Sequence, residues 1–61
     1  MDFIEELLQR ATDIEEMSGV DSDTLSEVAY WTGYLEALRD YAIELKDIPK
    51  GLRALLDEFN V

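Results

Sequence analysis

Glu36, Asp40, Glu44 and Asp47 recur at helical spacings, and Asp21-Ser22-Asp23 brings two carboxylates together; these are the side chains that could do chemistry in this 61-residue chain. Carboxylate pairs can exchange protons catalytically when burial drives their proton affinities apart. A spacing of three and four instead puts this set on the polar side of a helix. Histidine and cysteine are both absent. No side chain is therefore ready to act as base or nucleophile near neutral pH, and a Cys/His zinc site is impossible. The Asp21 run fails as a calcium loop. Counted from Asp21, its sixth position is Ser26 rather than glycine, its twelfth is Thr32 rather than glutamate, and Leu25 falls where a ligand belongs. The sequence thus predicts a protein that is not an enzyme and has no cofactor or metal.

What carboxylates can do without burial is present charge. Fifteen acidic residues against five basic ones give a formal charge of −10. The imbalance is concentrated in residues 1–27, where nine acids face Arg10 alone. Phosphate backbones and anionic membranes are repelled by such a chain, and basic protein surfaces are attracted with a salt-sensitive on-rate. The expected partner is therefore protein, with no direct nucleic acid and no membrane. Glu36, Asp40, Glu44 and Asp47 are the candidate acidic partner-binding face, able to stand in for phosphates in the groove of a basic nucleic-acid-binding protein.

Three helices would position these residues in a single domain, 1–61. Helix 1 is expected from about Phe3 to Met17, capped by Asp2 with Glu5 closing a capping box, and with Ile4, Leu7, Ala11 and Ile14 as its apolar stripe. Ser18-Gly19 is the expected stop of helix 1, with Gly19 free to take the left-handed conformation that closes many helices. Helix 2 is expected over about 22–46. Asp21 as cap (with Val20 and Leu25 as a hydrophobic staple) competes with Thr24 as cap (with Glu27), and Asp21 is favoured. Pro49 must end it, because proline lacks the amide proton and restricts Ile48. Helix 3 comes next over about 50–59, with Leu52, Leu55, Leu56 and Phe59 on one stripe. Helix 1 and helix 3 together match helix 2 in length, so an antiparallel arrangement with helix 3 folded along the second half of helix 2 is predicted.

Helix 2 carries the densest pattern. Val28, Trp31, Leu35, Leu38, Ala42 and Leu45 keep a 3,4 spacing, and Tyr30, Tyr34, Ala37 and Tyr41 widen it to about half the helix circumference. Tyrosine and tryptophan are enriched at interfaces. Sixty-one residues form a marginal core, and without cysteine or a zinc site the remaining source of stability is association. Tyr30, Trp31, Tyr34, Leu35, Leu38 and Tyr41 are therefore the candidate self-association residues, in a helical-bundle homodimer. Ala29, Gly33 and Ala37, small residues four apart, predict close helix packing over that strip, since glycine inside a helix costs about 1 kcal/mol against alanine.

The run from Ala29 to Leu38 resembles the Tyr/Trp-x-x-Gly-Tyr-x-x-Ala-Leu helices of small phage and mobile-element proteins, a likeness of ten residues that defines no family. In size and charge the chain is similar to small acidic phage inhibitors of host nucleic-acid enzymes, of the anti-CRISPR or anti-restriction class. The leading expectation is an acidic, non-catalytic protein-binding module that self-associates through its central helix. The alternatives are a nucleic-acid-mimicking viral inhibitor and an adaptor subunit of a larger assembly. The absence of cysteine, of a basic leader and of a long apolar run points to a cytoplasmic protein.

Overall fold

The stripe Ile4, Leu7, Ala11, Ile14 needs an apolar lid, and the chain builds one from its other two helices. In a computed structural model that describes residues 2–60, α1 spans Phe3–Glu16, α2 Ser22–Asp40 and α3 Lys50–Phe59. All four stripe residues of α1 are buried, as are Val28, Leu35 and Leu38 of α2 and Leu52, Leu55 and Leu56 of α3. Together they make one core. Among the described residues there is no strand, no buried polar or charged residue, and no helix long and apolar enough to cross a membrane.

Local signals set the helix starts with mixed success. Asp21 is the N-cap of α2, and its Oδ1 accepts a hydrogen bond from the Thr24 N–H at 3.3 Å. Hydrogen bonding from the Thr24 side chain holds the Asp21 carboxyl below its ordinary value, with desolvation opposing it and the backbone bond adding to it. Asp2 stands at the N-cap position of α1 but makes no side-chain cap hydrogen bond, so the expected capping box with Glu5 does not form. Helix α1 ends at Glu16 with an extended Met17 as its C-cap, so Gly19 does not close the helix as expected; its positive φ, +84°, serves the turn that leads to α2. Beyond Pro49, α3 matches its expected bounds, and Asn60 closes it in the left-handed conformation.

The end of α2 departs from expectation. The helix stops at Asp40, six residues before Lys46. Its closure is a Schellman motif: the Ile43 N–H donates to the Leu38 carbonyl at 2.8 Å and the Ala42 N–H to the Arg39 carbonyl at 3.1 Å. The position that glycine usually fills is held by Ala42, at φ 55°. An L-residue with a Cβ costs roughly 1–2 kcal/mol there. Residues 43–49 then run without regular structure, with Leu45 and Ile48 packed against the core. The compensation comes from α3. A helix continued to Lys46 would carry Pro49 about 9 Å further on. Leu52, Leu55 and Leu56 would lose a core in which their burial is worth about 1.5–3 kcal/mol each, which outweighs the strain at Ala42. Ala42 and Leu45 are consequently not part of a helical seam, and α3 runs closer to α1 than along α2.

Candidate interaction surface

An advance of about 100° per residue divides α2 into two faces. Val28, Leu35 and Leu38 point into the core, with Trp31 half-buried at its margin. Leu35 and Leu38 are thus occupied within the chain. Trp31 packs its ring over Gly51 at the start of α3, where an added Cβ would lie 2.9 Å from Trp31 Cζ2. The close approach expected at Ala29, Gly33 and Ala37 occurs at this other glycine. Apart from its chain neighbours and the backbone of its own helix, Gly33 has nothing within 4 Å of where a Cβ would sit, and Ala29 and Ala37 are exposed beside it.

The outward face of α2 is therefore an open strip. Ser26, Ala29, Tyr30, Gly33, Tyr34 and Ala37 are all exposed and none is charged, in a chain whose residues are 33% charged. Along one edge the aromatic rings are braced by the half-buried tryptophan. Tyr30 meets Trp31 edge to face at 5.0 Å and Tyr34 does so at 5.7 Å. Such contacts hold the tyrosines in place while leaving them 65% and 38% exposed. Tyr41, at the end of α2, is 79% exposed. Strip and edge together comprise most of the residues expected to mediate self-association, with Leu35 and Leu38 on the opposite side of the same helix.

The carboxylates are differently placed. Glu36 and Asp40 remain on α2, Asp40 in an exposed ion pair with Arg39 at 3.3 Å. Glu44 and Asp47 lie beyond the helix, so the four do not form one continuous row. Among the described residues no group of three metal-binding side chains converges.

A feature with no sequence signal lies at the closure of α2. There, Phe3 and Ile4 of α1 face Leu38, Ala42, Ile43 and Leu45 across an open cleft of about 300 Å³, with Asp2, Arg39 and Glu44 also on its walls. It exists because α2 stops where it does. Thr32 contributes a second unanticipated detail, since its Oγ1 is buried without a hydrogen-bond partner. The Gly51 seat had no sequence signal either, because Trp31 and Gly51 are twenty residues apart and meet only in the fold.

Comparison of the chain with protein-family models, curated proteins and solved structures finds no match.

Proposed function

We propose that the chain is a small, acidic, non-catalytic protein-binding module that self-associates through α2. The supporting observation is the uncharged outer strip: Ser26 to Ala37 presents small residues beside two exposed, braced tyrosines. Braced aromatics give contact area with little loss of side-chain freedom. Small residues beside them let a second backbone approach, and an uncovered helix glycine finds its use there. Catalysis has no foothold, because the carboxylates of the described residues lie on the surface and histidine and cysteine are absent.

Size sets the strength. The strip is about 18 Å long and about 10 Å wide, roughly a quarter of the ~800 Å² that each partner contributes to a standard interface. Association through this strip alone is expected to be weak. It is also opposed by charge, since each copy carries −10. Added salt screens that repulsion and should tighten self-association, whereas binding of a basic partner would loosen. Sedimentation equilibrium from micromolar to millimolar concentration, at about 0.05 and 0.5 M salt, tests the reading. The expected result is a mass that rises with concentration and more steeply at high salt. A clean 7.0 kDa species throughout would overturn it.

A further inference from the structure

Ala42 closes α2 in a conformation that favours glycine. The residues around it, Tyr41-Ala42-Ile43-Glu44-Leu45-Lys46, include neither glycine nor proline, and Ala, Glu, Leu and Lys are strong helix formers. If α2 continued through them, Ala42 and Leu45 would extend the line of Trp31, Leu35 and Leu38 without a break in spacing. The first residue that forbids a helix is Pro49. The segment is thus bistable by composition: a strained turn in one chain, a regular helix if α3 can be placed elsewhere.

The geometry points to exchange of α3 between two copies of the chain, with residues 41–49 as the hinge. This rests on the self-association reading and specifies its form. Lengthening α2 to Lys46 moves α3 about 9 Å off its own core. The surface that would satisfy Leu52, Leu55 and Leu56 with the same contacts is the α1–α2 pair of a second copy that has released its own α3. Each copy then regains its buried leucines and the seat of Trp31 on Gly51 in trans. The lengthened helices meet along Leu38, Ala42 and Leu45, and strain at both copies of Ala42 is relieved. Exchange also answers the question of area. The outer strip supplies about a quarter of a standard interface, while a swapped helix brings its whole core face into the contact. A short hinge under strain is the usual setting for such a swap.

The test uses Ala42→Gly and the natural contact between Trp31 and Gly51. Glycine relieves the turn and disfavours the helix, together shifting each hinge toward the closed form by about 30-fold, roughly 2 kcal/mol at 1.4 kcal/mol per tenfold. A swapped dimer opens two hinges, so its dissociation constant should rise about a thousandfold in Ala42→Gly, while the monomer unfolds at a temperature several degrees higher. In dimers mixed from ¹³C-labelled and unlabelled chains, a nuclear Overhauser contact between the Trp31 ring and the Gly51 α-protons should cross from one chain to the other. A dimer that keeps this contact within each chain, or that Ala42→Gly forms as tightly, overturns the exchange and leaves self-association standing. Absence of any dimer at millimolar concentration overturns both.

Discussion

On the inner face of α2, Val28, Leu35 and Leu38 are closed over by the core, while on the outer face Ser26, Gly33 and Ala37 lie open. The two faces belong to one helix and to one broad apolar pattern, yet only part of that pattern is used within the chain. Two short helices cover a narrower arc of α2 than its apolar and aromatic residues span. The glycines show the same contrast at the level of single atoms. Gly51 is needed because Trp31 occupies the space of its missing side chain, whereas Gly33 faces open space. A small residue inside a helix therefore has two settings here, one packed against within the chain and one open on its surface.

The inner face can be broken most severely. Leu38→Asp would bury an unpaired charge against the core and should cost more than about 3 kcal/mol or prevent folding, read by urea denaturation. Near-native stability would move Leu38 outside the core and remove the distinction between the faces.

Substitution of the two glycines sharpens it. In Gly51→Ala the new methyl collides with Trp31, and overpacking of this kind typically costs about 1–3 kcal/mol, partly offset by alanine's helix preference. A net loss of about 1 kcal/mol is expected, with a shift in the emission of the single tryptophan. Gly33→Ala meets nothing within the chain and should gain up to about 1 kcal/mol of monomer stability. The same methyl on the outer strip should weaken self-association. Equal effects at the two glycines would mean that neither is reserved for close packing.

The smallest effect is expected at Asp21, which is exposed and belongs to neither face. Its carboxyl is held below the ordinary value of 3.8 mainly by hydrogen bonding from the Thr24 side chain. A depressed folded value means that the cap stabilises fully above that ordinary value and loses its contribution as the pH falls through the lower folded one. Asp21→Ala should therefore lower the thermal midpoint by a few degrees at pH 7, with the gap to the parent narrowing in acid; Asp21→Asn keeps an acceptor and should hold the midpoint at both pH values. A gap that does not change with pH would show that the charge contributes nothing to the cap.

Sequence reading succeeded where the determinant was local. The 3,4,3 stripe of α1 fixes which side is buried whatever it packs against, the Asp21 cap needs only the amide three residues on, and Pro49 sets the start of α3 at the next residue. Each depends on neighbours within about one helical turn. The site was half legible by the same rule. Tyr30, Tyr34 and Tyr41 stand out as an aromatic cluster in the sequence, but their exposure and the burial of Leu35 and Leu38 depend on how much of α2 the other helices can reach. The end of α2 was not legible, because Tyr41 to Lys46 favour a helix by every local measure. Tertiary structure decided it: three leucines beyond Pro49 gain more from reaching α1 than the chain loses at one strained alanine. The same competition assigned close approach to Gly51 and left Gly33 open, since a glycine's neighbour across space is not written in the residues beside it.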